Sequence, residues 1–197
     1  EVNKINISKE ICSVLTLSAI RENNQVGLIC FSDIKEKYIK PSKGISHGYS
    51  IIKNLYNLET KSKNTDLNKL INFSMNAIKK KSIIILISDF LDKDYMKNLI
   101  SMSKKHDLIL IQVFDSQEIK SSNLGIIPIQ ENESNTNLWI NTSSKDFQKT
   151  LDKTFKLNEE KIYNESKKSG INYLKINTNE DYIPSLIKLF RIRNRYN

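Results

Sequence analysis

The chain has 197 residues, 39% of them hydrophobic and 8% aromatic, so it can bury a core and is too apolar to be disordered. Its 31 Lys and Arg exceed its 22 Asp and Glu, which gives a formal net charge of +9. The apolar runs are far shorter than the ~20 residues that cross a bilayer, and no signal peptide opens the chain. We therefore expect one soluble, cytoplasmic domain over residues 1–197. Cys12 and Cys30 lack the spacing of a metal or redox motif, which indicates reduced core residues.

The first half of the sequence alternates between helix and strand patterns. The predicted elements are a helix over about 8–22, a strand over 25–32, a short edge strand over 36–40, a helix that carries Ile51, Ile52, Leu55 and Tyr56, and a helix with its cap or first residue at Thr65 and an apolar stripe from Leu67 to Ile78.

The second half adds strands that are joined by helices. The patterns predict a strand at 82–88, a helix at about 94–105, a strand at 108–114, a hairpin of short strands at 125–129 and 138–141, a helix at about 144–169, a strand at 171–176 and a helix at 182–193. Strands connected through helices pair in parallel with right-handed crossovers. The expected fold class is α/β, with a mostly parallel sheet and helices on both of its faces.

Residues 83–90, which read Ile-Ile-Ile-Leu-Ile-Ser-Asp-Phe, form the most informative stretch of the chain. Five apolar residues in a row, four of them β-branched, predict a strand buried on both faces of a parallel sheet. Asp89 follows this strand at its carboxyl end, where open α/β sheets bind ligands. Thr65 opens the preceding helix, and a hydroxyl together with a carboxylate suits Mg²⁺. The simpler interpretation makes Thr65 a helix cap and Asp89 a strand-end residue that accepts backbone N–H groups.

Other polar residues near the strand ends receive a structural interpretation. Asp92 and Asp94 form an acidic cluster with Asp89, and Asp115 is either a second carboxylate at the rim of the sheet or, in the favoured interpretation, a turn residue. The two histidines have no neighbouring Cys, nucleophile or second His, which indicates structural or surface roles. The sequence contains no Gly-rich phosphate loop, Walker lysine motif or Gly-x-Ser-x-Gly elbow, which argues against a hydrolytic or redox enzyme.

The positive charge is spread over every segment of the chain. The one compact basic run is Arg-Ile-Arg-Asn-Arg at 191–195. Nucleic-acid binders concentrate Lys and Arg on one face, whereas cations in a last helical turn also complement the helix dipole. A solvated surface is the favoured interpretation, and a surface for nucleic acid or anionic membrane is the alternative.

A series of segments resembles a von Willebrand factor A-type domain and, more narrowly, the bacterial proteins grouped as domain of unknown function family 58. The first segment reads Asn-Asn-Gln-Val-Gly-Leu-Ile-Cys-Phe-Ser-Asp, and the second reads Lys-Asn-Thr-Asp-Leu. The full series lies at 23–33, 63–67, 82–92, 104–107, 138–144, 169–171 and 178–182. The resemblance covers essentially the whole chain and implies a Rossmann-like, doubly wound sheet.

The resemblance also implies a site. In A-type domains a metal-ion-dependent adhesion site holds Mg²⁺ above the sheet through an Asp-x-Ser-x-Ser motif after the first strand, a middle-loop Thr and a later Asp. Thr65 and Asp89 match the last two positions. Because the chain has no Asp-x-Ser-x-Ser motif, the resemblance implies an N-terminally truncated domain without its first strand and with an incomplete metal site. The alternative is that the motif was lost and that residues 2–7 fill the gap.

The function implied by the resemblance is a non-enzymatic protein-interaction module. Its open metal position would take a carboxylate from a protein partner, and the family resemblance suggests association with a MoxR-type AAA+ ATPase in protein assembly or maturation. The alternative is a basic protein that binds nucleic acid or an anionic surface, and this binding would weaken steeply with salt and ignore chelators. A weaker third candidate is a Mg²⁺-dependent phosphoryl-transfer enzyme that uses Asp89, for which the sequence offers no phosphate cradle.

Overall fold

The structure is a computed structural model that describes residues 4–115, 126–130, 137–141 and 144–196. Its elements are α1 (Lys4–Arg21), β1 (Val26–Phe31), β2 (Lys35–Ser42), α2 (Ile45–Tyr56), α3 (Leu67–Ala77), β3 (Ile83–Ser88), α4 (Met96–Ser103), β4 (Asp107–Phe114), β5 (Ile126–Gln130), β6 (Asn137–Asn141), α5 (Lys145–Lys168), β7 (Asn172–Asn177) and α6 (Ile183–Tyr196). Each predicted element is present, with ends that differ by a few residues. Strand β2, for example, continues through Pro41.

Three parallel strands form one sheet in the order β3-β4-β7. The register pairs Ser88 with Gln112 and Phe114 with Asn177, so the three strands end at a common carboxyl edge. The parallel pairing expected from helical connections is confirmed for these strands. Two antiparallel pairs, β1 with β2 and β5 with β6, make the architecture a mixed α/β one, and the second pair confirms the predicted hairpin.

Helices cover both faces of the parallel sheet. Successive side chains of β4 point to opposite faces, so alternate residues of this strand pack against different helices. On one face Leu108 and Leu110 pack with apolar residues of α3, α4 and α5. On the other face Ile109, Ile111 and Val113 pack with residues of α1 and α6. The core therefore consists of two clusters that are separated by the sheet.

The prediction that residues 83–87 lie in a strand buried on both faces is wrong. No residue of β3 is fully buried, and the Ile83 side chain is 60% exposed, whereas every residue of β4 from Leu108 to Val113 is buried. The reason is position in the sheet. Among the described residues β3 pairs with a strand on one side only, while β4 pairs on both sides.

Strand β1 is likewise half-buried and pairs only with β2 in the described part of the chain. We call the interval between β1 and β3, which no described backbone pairing crosses, the sheet break. Helix α3 spans it on one face: its Phe73 ring lies 6.0 Å from the Phe31 ring of β1, while its Leu67 and Ile71 belong to the core cluster that includes Ile84 of β3. Helix α1 contacts both β1 and β4.

The two cysteines confirm the prediction of free thiols, and they lie on α1 and β1. Both are half-buried, and burial raises the pKa of Cys12 to about 12 and the pKa of Cys30 to about 11. Within the described ranges, no helix has the length and apolar character needed to cross a membrane.

Candidate functional site

Thr65 lies in an exposed segment that leads into α3. The structure makes Asp66 the N-cap of this helix, because its carboxylate accepts the backbone N–H of Lys69 at 2.8 Å. The prediction that the helix begins at or is capped by Thr65 is therefore wrong. Asp and Thr are both good cap residues, and the hydrogen bond at Lys69 decides between them. Thr65 itself is exposed and lies just before this cap.

The segment before α3 is held at a fixed place on the sheet. The Asp66 N–H donates to the carbonyl of Ser32, which follows β1, at 3.2 Å. Glu36 of β2 accepts hydrogen bonds from the backbone N–H groups of Lys61 and Ser62 and from the Ser32 hydroxyl. The hydrogen bond from the Lys61 backbone N–H, and then that from the Ser32 hydroxyl, hold the pKa of Glu36 below its usual value. The loop that carries Thr65 is thus tied to the β1–β2 hairpin.

Asp89 stands at the carboxyl edge of the parallel sheet, as predicted from its place after β3. Its side chain is partly exposed, and its carboxylate lies 3.4 Å from the ammonium of Lys4, the first residue of α1. The other carboxylate oxygen accepts the N–H of Leu91 at 3.4 Å. Asp89 is therefore accessible, but a cation of the chain itself already accompanies it.

The backbone at Asp89 is fixed by a buried polar network. The Gln112 amide donates to the Asp89 carbonyl at 2.9 Å and accepts a hydrogen bond from the Tyr173 hydroxyl. Phe90 is fully buried and has a φ of 56°, which is uncommon for a large side chain. Its carbonyl accepts the Asn158 amide at 3.0 Å and the Tyr95 hydroxyl at 3.4 Å. These contacts hold the sharp turn that directs the chain away from β3.

The two phenols of this network remain protonated donors at ordinary pH. Burial raises the pKa of Tyr95 well above its usual value, and the nearby Asp92 and Asp89 add to the effect. Burial, and then Glu159, raises the pKa of Tyr173 in the same way. Neither phenol is suited to proton transfer near neutral pH, so the network has a structural role.

The acidic cluster at the site edge divides into separate roles. Asp92 accepts the N–H of Leu67 at 2.7 Å and so joins the start of α3 to the loop after β3. Asp94 is exposed and has a φ of 59°. Asp115 accepts the Asn179 side-chain amide at 3.1 Å. Through the Asp92–Leu67 hydrogen bond, the structure brings the segments of Thr65 and Asp89 together at one edge of the sheet.

The donors of these two residues have the chemistry that Mg²⁺ prefers, because hydroxyl and carboxylate oxygens are hard ligands. Their number does not fit a resident ion. Within the described residues, no group of three or more His, Cys, Asp or Glu side chains is placed to hold a metal. Two ligands leave an octahedral shell unfilled, and Lys4 lies beside one of them. The described residues alone do not form a magnesium site.

Several residues that contact Asp89 or Phe90 cannot be identified from the sequence alone. Gln112, Asn158 and Tyr173 act on Asp89 and Phe90 from distant positions in the chain, and no local pattern marks them. Lys4 carries no signal beyond its charge. Gln112 offers a weak signal, because it is the one polar residue inside the apolar run Leu-Ile-Leu-Ile-Gln-Val-Phe of residues 108–114.

Comparison with known proteins yields one family and one fold relative. The chain is similar to a crystal structure of the conserved hypothetical protein BatB from Bacteroides thetaiotaomicron, with 12% identity, a TM-score of 0.56, and coverage of 96% of this chain and 87% of that one. At this identity the likeness shows a shared fold. No curated protein matches the chain significantly. The profile described as "Protein of unknown function DUF58" matches residues 1–161, and the chain therefore belongs to the DUF58 family.

Proposed function

We propose that the chain is a non-enzymatic protein-interaction module of the von Willebrand factor A type, with its binding site at the carboxyl edge of the parallel sheet. One observation carries the proposal: the Asp92–Leu67 hydrogen bond joins the start of α3, which follows the exposed Thr65, to the loop that follows the accessible Asp89. Helices on both faces of a parallel sheet support the assignment. The phenols of Tyr95 and Tyr173 near the site have raised pKa values, so these two groups would act as hydrogen-bond donors rather than as bases.

The proposal includes one further strand, inserted at the sheet break. A-type domains have a first strand that ends in an Asp-x-Ser-x-Ser motif, and a strand between β1 and β3 would pair with both. The half-burial of β1 and β3 and the two helices that bridge the break support this insertion. Such a strand would bring its hydroxyl and carboxylate ligands beside Thr65 and Asp89 and so complete the set of hard donors.

Titration calorimetry with Mg²⁺ and Mn²⁺ tests this proposal. We expect no binding by the chain and clear binding by a version extended ahead of Glu1 with a strand that ends in Asp-x-Ser-x-Ser. Asp89→Ala should abolish binding in the extended protein, and Asp94→Ala, a neighbouring exposed carboxylate, should leave it unchanged. Failure of the extended protein to bind, or binding that survives Asp89→Ala, contradicts the metal site.

The partner class is a separate part of the proposal. A MoxR-type AAA+ ATPase in the cytoplasm is our candidate partner, and its support is the family resemblance alone. Binding of a purified ATPase of this type, followed by interferometry, should require Mg²⁺ with the extended protein and disappear with EDTA or Asp89→Ala. Binding that ignores EDTA but vanishes at high salt would instead favour the basic-surface alternative.

The nucleic-acid alternative has less structural support. Arg193, in the middle of the basic run at 191–195, pairs with Asp107 and is only 10% exposed. A guanidinium used in this way holds α6 to the start of β4 and is withdrawn from phosphate contacts. The run thus offers a smaller basic surface than its sequence suggests.

A further inference from the structure

Asp89 has a partner on each of its two carboxylate oxygens. Its Oδ2 atom lies 3.4 Å from the Lys4 ammonium, and its Oδ1 atom accepts the Leu91 N–H at 3.4 Å. The ion pair is partly shielded from water, since the side chains of Lys4 and Asp89 are 23% and 36% exposed. A ligand that reaches this carboxylate therefore finds it already engaged by groups of the chain itself.

Lys4 reaches Asp89 from a helix whose position is fixed. It is the first residue of α1, and the next two turns of this helix bury Ile7 and Ile11 in the core cluster on one face of the sheet. The Lys4 carbonyl also accepts the Ser8 hydroxyl at 2.8 Å. The backbone of Lys4 is thus anchored, whereas its ammonium sits on a flexible four-carbon stem. The ammonium can leave Asp89 by rotation of the side chain while α1 stays in place.

The surroundings of Asp89 explain why a cation lies beside it. Asp92 and Asp94 lie in the loop that follows, and Asp92 and Asp89 are both close enough to the Tyr95 hydroxyl to raise its pKa. Carboxylates at short range repel one another. The Lys4 ammonium therefore offsets a local excess of negative charge, although the chain as a whole has a net charge of +9. The same excess attracts any other cation that reaches this edge of the sheet.

We propose that the Lys4–Asp89 ion pair is an autoinhibitory contact, which closes the candidate site until a divalent cation displaces the Lys4 ammonium. This regulation rests on the proposed function, because it controls access to the same carboxylate. A divalent cation needs a carboxylate oxygen of Asp89, and its charge repels an ammonium held beside that oxygen, so the two cations compete. A tethered ammonium acts at a high effective concentration. Lys4 thereby raises the metal concentration at which the site fills.

Calorimetry with Mn²⁺ on the version extended ahead of Glu1 tests this competition. Lys4→Met should tighten binding about threefold to tenfold, because it removes both the partly exposed ion pair and the repulsion. Lys4→Arg keeps the positive charge and should bind as weakly as the parent. Lys97→Met removes an exposed cation from the first turn of α4 and should change the affinity by less than about twofold, because solvent and salt screen its charge.

The outcomes separate this proposal from the metal site. Equal affinities of the parent and of Lys4→Met, or a gain with Lys97→Met as large as with Lys4→Met, would overturn the autoinhibitory contact and leave the metal site in place. Absence of binding by both the parent and Lys4→Met would contradict the metal site and the contact with it.

A second measurement needs no metal. In the chain without the added strand, urea denaturation of Lys4→Met, Asp89→Asn and the double variant gives the coupling between the two side chains. We expect Lys4→Met to lower stability in the parent chain and to have a smaller effect in the Asp89→Asn background. Circular dichroism checks that each variant is folded. Strictly additive effects would mean that the ion pair does not form in solution, and they would overturn the proposal whatever the calorimetry gives.

Discussion

Asp89 is held in place by side chains that lie far from it in sequence. Gln112 links its carbonyl to the Tyr173 hydroxyl, and Asn158 and Tyr95 bind the carbonyl of the next residue. A buried polar group that loses its partner retains its desolvation penalty. The position of the candidate site therefore depends on a network that contributes no ligand to it.

The substitution Gln112→Met tests how much this network contributes to the stability of the folded protein. It keeps the size of the side chain but leaves the Asp89 carbonyl and the Tyr173 hydroxyl without their partner, so we expect a loss of about 1–3 kcal/mol in the free energy of unfolding. Urea denaturation gives the value. Asn24→Met, at an exposed residue, should change stability by less than about 0.5 kcal/mol. Equal effects of the two substitutions would mean that the network adds nothing to stability.

His106 gives the protein a pH dependence of known sign. It is buried, its Nδ1 atom has no hydrogen-bond partner among the described residues, and burial followed by the charge of Lys105 lowers its pKa. The unfolded chain binds a proton at about pH 6.5, before the folded protein does. Stability should therefore fall as pH drops below that value, down to the lowered pKa of the folded state.

Urea denaturation at about pH 7.5 and about pH 5.5 checks this prediction, because the two values lie on either side of the unfolded histidine pKa. We expect His106→Gln to reduce the difference in stability between the two pH values, while His47→Gln retains the histidine responsible for it. The prediction fails if the His106 variant keeps the full pH dependence.

At the scale of elements, two neighbouring residues at the start of α3 have different roles. Asp66 caps the helix, and Thr65 is the candidate ligand. Asp66→Ala removes the hydrogen bond to the Lys69 N–H and should destabilise the protein by about 1 kcal/mol. Thr65→Ala removes an exposed hydroxyl and should change stability by less than about 0.5 kcal/mol. Thermal unfolding of the two variants is the measurement. A cost at Thr65 as large as that at Asp66 would restore the interpretation of Thr65 as a cap.

The helices and strands can be predicted from the local sequence, but the burial of each element and its neighbours in space cannot. Periodicity and turn residues predict the order and type of every described helix and strand. The burial of β3 escapes prediction, because it depends on whether a neighbouring strand is present, and an apolar run does not encode its neighbours. For the same reason Asp89 is found from its place after a strand, whereas Lys4 and Gln112, which meet it only in three dimensions, are not.

At the scale of the whole molecule, the sheet break divides the backbone hydrogen bonding in two. The β1–β2 pair and the β3-β4-β7 sheet share no described ladder, so packing of α1 and α3 couples them. Successive N–H groups of β4 point to β3 and to β7 in turn, so the amides of β4 should on average exchange with solvent more slowly than those of β1 and β3. Hydrogen exchange followed by NMR measures the difference. Similar protection in all three strands would show that a pairing partner also covers the edges of the break.

The reactivity of the two thiols beside the sheet break offers a way to measure how often this region opens. Burial raises the pKa of Cys12 to about 12 and that of Cys30 to about 11, so both thiols react slowly while they stay in place. Alkylation by a maleimide should therefore wait for α1 to lift away from β1. Under native conditions the alkylation rate reports how often α1 and β1 separate, and a ligand that holds α1 against β1 should slow the reaction at both cysteines together.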